Sequence, residues 1–135
     1  MREIKFRVWN KATSQWVHRP GWEVNLFGEM VLLGGFMRGI SLLELNDCVI
    51  CQYTGIKDKH GNEIYEGDIL CIPETDPASS LGNSIVIVEY KYSGFGYIEV
   101  GVGRFESLHS IIGESEVDNS AEVIGNIFEN PEFLK

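Results

Sequence analysis

Short stretches in which apolar and polar side chains alternate recur along this chain, and glycine or proline interrupts them. In residues 4–9 (IKFRVW) the alternation places Ile4, Phe6 and Val8 on one face of a strand. Residues 85–92 (IVIVEYKY) are mostly β-branched or aromatic, a composition that favours strands. Because the period is two and the stretches are short, the pattern predicts an all-β fold.

Turn signals separate the predicted strands. Residues 10–15 predict the turn of an N-terminal hairpin, and Gly61-Asn62 predicts a hairpin turn in which Gly61 has a positive φ. Further strands are predicted at residues 48–53, 64–65, 69–72, 95–102 and 121–128. Several short strands without a long amphipathic helix indicate a barrel or a sandwich.

Two segments are less regular. Alternation in residues 95–102 puts Ile98, Val100 and Val102 on one face of a strand that forms a hairpin with the preceding one. Residues 20–47 keep neither the helical nor the strand period for long, and they contain five glycines. Glycine weakens helix interiors, so we predict short strands and loops there.

The net charge of −9 is unevenly distributed. Residues 1–60 carry eight Lys/Arg and six Asp/Glu, or +2, whereas residues 61–135 carry three and fourteen, or −11. The acidic half either keeps the protein soluble or faces a basic partner, such as the N-terminal half of another copy. Duplex binding needs clustered Lys/Arg, so this distribution argues against nucleic acid as the partner.

The sequence predicts a cytoplasmic protein without a membrane span. No apolar run reaches the roughly 20 residues that a spanning helix needs, and charges occupy the start of the chain where a secretory signal is apolar. Cys48, Cys51 and Cys71 make an odd count, which favours reduced thiols. One Cys-x-x-Cys pair within a strand is a poor zinc site, so we predict no metal and no cofactor.

Two acidic motifs were considered as reactive or metal-binding sites. Glu66 and Asp68 are two residues apart, and such a carboxylate pair can divide acid and base roles in a hydrolase. Gly67 between them indicates a turn instead. The loop 58–63 (DKHGNE) has glycine at position 4, where a calcium loop needs it at position 6. Neither motif predicts an enzyme or an ion site.

Aromatic and basic side chains provide the remaining candidates for a binding site. We select Lys5, Arg7, Trp9, Tyr53 and Tyr65. Packing between strands explains most aromatic residues of a small β protein, and those on its solvent side are the first candidates for partner binding. An alternative is a nucleic-acid-binding module that uses a stripe of basic side chains with nearby tryptophans, namely Lys5, Arg7, Lys11 and Arg19.

Three stretches carry a resemblance to a known family. They are IKFRVWNKATSQWV at residues 4–17, QYTGIKDKHGNEIYEGDIL at residues 52–70 and EVIGNIFENPEFL at residues 122–134. In this order they resemble the opening, central and closing signatures of the YopX family of phage and prophage proteins. The resemblance implies a phage or prophage origin, a C-terminal SH3-like barrel and self-association into a homo-oligomer, and it implies no activity.

We therefore predict an N-terminal hairpin and oligomerisation region at residues 1–47 and an SH3-like β-barrel domain at residues 48–135. The leading hypothesis is a non-enzymatic accessory protein that contacts a host or phage protein and other copies of itself. The alternatives are a nucleic-acid-binding module that uses the N-terminal strand, and a hydrolase that uses the carboxylates of Glu66 and Asp68.

Overall fold

The computed structural model of the protein describes residues 3–17, 22–24, 30–32, 47–74, 78, 82–108 and 121–134. Over these residues the fold is all-β, with a curled half-barrel sheet and a second sheet, as the alternating pattern predicts. The chain divides into two compact units. Residues 4–52 form the N-terminal unit, and residues 53–135 form the C-terminal unit together with residues 1–3.

The strands of the N-terminal unit are β1 (Phe6–Asn10), β2 (Gln15–Trp16), β3 (Trp22–Val24), β4 (Met30–Leu32) and the first half of β5 (Cys48–Lys57). β1 pairs antiparallel with β2 and with β5, and β3 pairs antiparallel with β4. The predicted N-terminal hairpin is confirmed. Short strands within residues 20–47 are confirmed at β3 and β4, and the rest of that prediction lies outside the described residues.

The side chain of Asn10 shapes the turn between β1 and β2. Its Oδ1 accepts hydrogen bonds from the backbone N–H groups of Ala12 at 2.9 Å and Thr13 at 3.3 Å. Asparagine commonly closes a turn in this way, by accepting N–H groups two or three residues further along the chain. Ser14 completes the reversal with a positive φ of 53°.

The face predicted for the first strand is confirmed for Phe6 and Val8 but is wrong for Ile4. Ile4 precedes β1 and is 65% exposed, whereas Phe6 and Val8 lie in the strand and are half-buried. Trp9, on the opposite face, is only 6% exposed, and its indole packs edge-on against that of Trp16 at 5.0 Å between centroids. The packing of the two indoles accounts for the burial of Trp9.

The C-terminal unit contains the second half of β5, followed by β6 (Glu63–Tyr65), β7 (Asp68–Ile72), β8 (Ser84–Lys91), β9 (Gly94–Glu99), β10 (Phe105–Ser107), β11 (Glu122–Asn126) and a 3-10 helix (Pro131–Leu134). β6 pairs with β5. Within the described residues β7 to β11 form an antiparallel five-stranded sheet in the order β10-β9-β8-β7-β11. The last strand therefore returns to lie beside the first.

Alternation along these strands builds the core of the C-terminal unit. Val86 and Val88 of β8 are 1% and 0% exposed, and Leu70 of β7 is fully buried beside them. The buried cluster consists of Ile64, Leu70, Val86, Val88, Leu108 and Ala121. Its members come from β6, β7, β8 and the segments next to β10 and β11. The core therefore depends on contacts between strands that are distant in sequence.

The strand predicted over residues 95–102 ends three residues early. β9 stops at Glu99, whose carbonyl oxygen accepts hydrogen bonds from Val102 N at 3.2 Å and Gly103 N at 3.0 Å. Gly101 has a φ of +88°, which favours glycine, and Val102 is 64% exposed. The shared face predicted for Ile98, Val100 and Val102 is therefore wrong for Val102, because a tight turn replaces the strand.

Candidate functional site

A buried carboxylate holds the loop after β5 to the last strand of the sheet. Asp58 is 5% exposed, and its Oδ1 accepts hydrogen bonds from the backbone N–H groups of His60 at 2.9 Å and Asn62 at 2.8 Å. Its Oδ2 accepts hydrogen bonds from Asn62 Nδ2 at 3.2 Å and from Val123 N in β11 at 2.9 Å. We call this arrangement the Asp58 anchor. In a calcium loop the carboxylate oxygens bind the ion, whereas both oxygens of Asp58 accept hydrogen bonds from N–H groups.

The ionisation of Asp58 follows from this geometry. Burial by itself raises the pKa of the carboxyl, but the hydrogen bonds from Val123, Asn62 and His60 act against burial and lower the pKa below its ordinary value of 3.8. The charged form is therefore the one that the folded protein holds. Gly61, at the tip of this loop, has the predicted positive φ of 82°.

Contacts between exposed polar and charged side chains extend the contact between this loop and β11. Lys59 Nζ and His60 Nε2 each lie 3.3 Å from a carboxylate oxygen of Glu122, and all three side chains are partly exposed. The backbone N–H of Lys59 also donates to the carbonyl oxygen of Ala121 at 3.1 Å. Exposed pairs contribute little to stability, so the backbone contacts and the buried anchor dominate here.

The two carboxylates of the predicted pair, Glu66 and Asp68, differ in burial. Asp68 is 1% exposed, and its Oδ2 accepts the backbone N–H of Tyr65 at 2.8 Å, which closes the turn between β6 and β7. Gly67 has a φ of +83° and donates its N–H to the carbonyl oxygen of Val88 at 2.9 Å. Glu66 is only half-buried. The turn therefore accounts for the position of Asp68.

The closing signature folds into a compact turn after β11. Asn126 Oδ1 accepts the backbone N–H groups of Phe128 at 3.1 Å and Glu129 at 2.9 Å. Asn130 Oδ1 in turn accepts the N–H of Asn126 at 3.2 Å. The side chain of Asn130 lies against Gly125, and a Cβ there would come 2.3 Å from its Oδ1. This turn thus needs glycine at position 125.

Gly125→Ala should lower the free energy of unfolding by about 1–2 kcal/mol, because the added methyl group displaces the Asn130 side chain from the N–H of Asn126. Urea denaturation measures the change. In the double variant Gly125→Ala/Asn130→Ala the clash is gone, so the two substitutions together should cost less than the sum of their separate effects. Strict additivity would contradict this account.

The structure separates the five predicted binding residues into two groups. In the N-terminal unit, the Arg7 guanidinium lies 4.3 Å from the centroid of the Trp16 ring, and Trp9 packs against the same ring. Lys5 is half-buried just before β1. Because Trp9 is 6% exposed, little of its indole is available for stacking on a base. Arg7 and Trp9 thus belong to one packed cluster.

The other two predicted binding residues lie in the C-terminal unit. Tyr53 of β5 is opposite Tyr65 of β6 in the strand register, and their rings are 5.4 Å apart. Tyr53 is 4% exposed and Tyr65 is half-buried. This pair therefore contributes mainly to packing between β5 and β6.

Four aromatic side chains, two of them exposed, surround the turn between β8 and β9. Tyr90 packs edge-on against Phe95 at 5.0 Å, and Tyr92 packs edge-on against Phe105 at 5.5 Å. Lys91 Nζ lies 5.3 Å from the centroid of the Tyr92 ring. Tyr90 is 53% exposed and Tyr92 is 80% exposed. We call these five residues the aromatic tip.

The sequence carries a signal for only part of the aromatic tip, and none of its residues is among the predicted binding residues. The stretch YKYSGF places two tyrosines directly before a Ser-Gly turn, and that signal is visible in the sequence. The partners Phe95 and Phe105 were not predicted, because strand pairing brings them to this end of the hairpin. Alternation would also place Tyr92 on the face of Tyr90, whereas Tyr92 lies in the turn itself.

The backbone of this turn is strained. Tyr92 and Ser93 have φ values of 52° and 66°, and they are the two residues between β8 and β9. Such a two-residue turn favours Asn-Gly, since both central residues are left-handed. A bulky residue in this region costs about 1–2 kcal/mol. An exposed tyrosine therefore occupies a position at which asparagine or glycine would adopt the backbone conformation with less strain.

No three histidine, cysteine, aspartate or glutamate side chains come together among the described residues in a way that could hold a metal ion. Cys48, Cys51 and Cys71 form no disulfide bonds, and Cys51 is buried. In the part of the chain that the structure describes, no helix has the length and apolar character to cross a bilayer.

Comparisons with known proteins bear on the family and on the fold. The family model described as YopX protein matches residues 5–135. No curated protein matches the chain. Among solved structures, the crystal structure of protein EF1440 from Enterococcus faecalis has a TM-score of 0.58 and 23% sequence identity, with all of both chains covered. At this identity the likeness shows a shared fold.

Proposed function

The chain belongs to the YopX family, and from this membership we propose that it is a non-enzymatic accessory protein of a phage or prophage. It acts in the bacterial cytoplasm through contacts with proteins, either host or phage proteins or further copies of itself. No cofactor takes part in these contacts.

The observation that supports this proposal is that three polar residues of the signature stretches have a structural role. Asp58, Asp68 and Asn126 are buried, and their side-chain oxygens accept backbone N–H groups that close turns or join strands. These groups hold the fold together. The surface of the C-terminal unit offers exposed aromatic side chains instead, chiefly Tyr90 and Tyr92, and exposed tyrosines are typical of protein contact surfaces.

We also propose that the sheet formed by β7 to β11 is an SH3-like barrel. Its first four strands are consecutive antiparallel neighbours, and β11 returns beside β7. This order supports a small barrel, since pairing of β11 with β7 brings the beginning and the end of this five-stranded segment together. Irregular pairing between Val123 and Gly125 in β11 gives the local bend that a curled sheet needs.

Neither alternative function gains support from a specific contact. The nucleic-acid hypothesis relied on tryptophans next to basic residues, but Trp9 is 6% exposed and Arg7 stacks on Trp16. The hydrolase hypothesis relied on Glu66 and Asp68, but Asp68 accepts the N–H of Tyr65 in a turn. We therefore retain the contact protein as the proposal.

Self-association is the part of the proposal that purified protein can test directly. Light scattering should give a mass above the 15.2 kDa of one chain as the protein concentration rises. The measurement is made at low and at physiological salt, because the net charge of −9 opposes contact between copies at low salt. A constant monomer mass at high concentration under both conditions would contradict self-association.

A further inference from the structure

The face of the β8–β9–β10 segment that carries Phe105 is apolar across three strands. Ile87, Ile98 and Phe105 lie directly opposite one another in the register, and each is half-buried. The Phe105 ring also covers Gly96, where a Cβ would come 2.3 Å from Cζ. Tyr92 packs on Phe105 and is 80% exposed. Apolar surface thus continues from the sheet to the turn of the aromatic tip.

Two opposite charges lie on the same face of β8. Glu89 and Lys91 are two residues apart in the strand, so their side chains project to the same side. Across the ladder each is opposite a glycine, Gly96 and Gly94 respectively; Glu89 is half-buried and Lys91 is exposed. Lys91 is one of only three Lys/Arg in residues 61–135. The pair is therefore locally neutral within a strongly acidic half.

We propose that the aromatic tip is the contact between two copies of this chain, related by a two-fold axis. This inference rests on the proposed self-association and names its surface. A two-fold contact brings the same patch of each copy together. If residue i of the first copy contacts residue j of the second, then residue j of the first also contacts residue i of the second. Tyr92 of each copy packs against the apolar face of the other, and each Lys91 meets the other copy's Glu89.

A second copy fits this surface better than nucleic acid does. The fourteen acidic residues in residues 61–135 repel nucleic acid, and the single ammonium of Lys91 cannot offset them. Glu89 and Lys91 on one face are self-complementary, because a two-fold axis presents the same two residues of the second copy in reverse order. The remaining repulsion between copies is long-range, and salt screens it within about 8–10 Å.

The dependence on salt distinguishes this contact from the charge-based one considered from the sequence. Docking of the basic half of one copy onto the acidic half of another weakens as salt increases. Contact through the aromatic tip strengthens, because apolar contact changes little while repulsion between chains of charge −9 decreases. Sedimentation equilibrium at about 20 mM and 150 mM NaCl separates the two: weaker association at the higher salt would overturn the proposal.

The first test removes the exposed ring of Tyr92 by substitutions that should not destabilise the fold. In Tyr92→Asn/Ser93→Gly the turn gains the residues that its left-handed backbone favours, so the melting temperature should stay the same or rise by a few degrees. Dimerisation should weaken by about 30-fold or more, since the substitution acts on both copies and central tyrosines are frequent hot spots. An unchanged dimerisation constant would overturn the proposal.

Val102→Ser is the matched control for the loss of exposed apolar surface. Val102 is 64% exposed, in the same unit as Tyr92, but lies beyond the opposite end of β9. The six residues of β9 separate the two turns by roughly 17 Å. Dimerisation of this variant should match that of the wild type. An effect as large as that of the Tyr92→Asn/Ser93→Gly variant would indicate nonspecific apolar association and overturn the proposal.

A charge exchange tests the two-fold arrangement. Glu89→Lys and Lys91→Glu should each weaken dimerisation by about tenfold, because each places like charges against each other twice in the contact. The double variant Glu89→Lys/Lys91→Glu restores both pairs and should return to within about threefold of the wild type. A double variant weaker than either single one would overturn the arrangement.

These experiments distinguish failure of the proposed surface from failure of the proposed self-association, on which the surface rests. A wild-type chain that stays monomeric at every salt concentration contradicts the proposed self-association itself. A wild-type chain that associates but is insensitive to the substitutions at Tyr92, Glu89 and Lys91 leaves self-association standing and overturns only the assignment of the surface.

Discussion

Asp58→Ala should lower the free energy of unfolding by about 3–4 kcal/mol and the melting temperature by about 10 °C or more. The substitution removes a buried acceptor of four hydrogen bonds and leaves the N–H groups of His60, Asn62 and Val123 without that acceptor. The bond to Val123 spans 65 positions in sequence, so its loss releases the loop from β11. Thermal and urea denaturation measure the effect.

Two variants control for other effects of this change. Asp58→Asn keeps one side-chain oxygen but places an NH₂ group against N–H donors, so its cost should be smaller than that of Asp58→Ala and still exceed about 1 kcal/mol. Lys59→Ala removes only the exposed pair with Glu122 and should cost less than about 0.5 kcal/mol. Equal effects of Asp58→Ala and Lys59→Ala would contradict a role for the anchor.

The same anchor gives a dependence on pH with a definite sign. Hydrogen bonds hold the pKa of Asp58 in the folded protein below its ordinary value of 3.8, despite the opposing effect of burial. Its stabilisation is therefore complete above the unfolded pKa and is lost as the pH falls through the folded pKa. The stability difference between wild type and Asp58→Asn should be constant near neutral pH and shrink below about pH 4. A difference that grows on acidification would contradict this sign.

Gly96→Ala is expected to be the next most damaging change, with a cost of about 2–3 kcal/mol. A Cβ at this position would lie 2.3 Å from Phe105 Cζ and 2.4 Å from the carbonyl oxygen of Glu106. The phenyl ring can turn aside, but the carbonyl belongs to the backbone of β10, which pairs with β9 through Ile98 and Gly96. The methyl group therefore forces β10 away from β9. Urea denaturation measures the loss.

Gly94→Ala provides the matched control. Gly94 lies two residues earlier on the same strand and the same face, and an added Cβ there would meet no atom within 4 Å. Its φ is not in the left-handed region, so alanine is tolerated. The stability of this variant should stay within about 0.5 kcal/mol of the wild type. A similar loss in both variants would show that the close contact with Glu106 is not the cause.

Strands and turns were largely predictable because both depend on neighbouring residues. Alternation predicted β1, β-branched and aromatic content predicted β8, and short apolar stretches between turn signals predicted β5 and β7. Glycine next to polar residues predicted the turn at Gly61 with its positive φ. The prediction was wrong where a tight turn at Gly101 ended β9, since apolar residues continued through the turn. The Asp58 loop was predicted as a hairpin turn, yet the hydrogen bond from Val123 of β11 to Asp58 was not predicted.

The sequence by itself determined the all-β class, the family and most strand positions, because hydrophobic period and signature residues are properties of contiguous chain. Only the tertiary structure decided that Asp58 holds β11, that Phe105 covers Gly96 and stacks on Tyr92, and that Trp9 is buried. Each of these depends on strand register between distant segments. Register is fixed by the packing of the whole sheet, which no single stretch of sequence specifies.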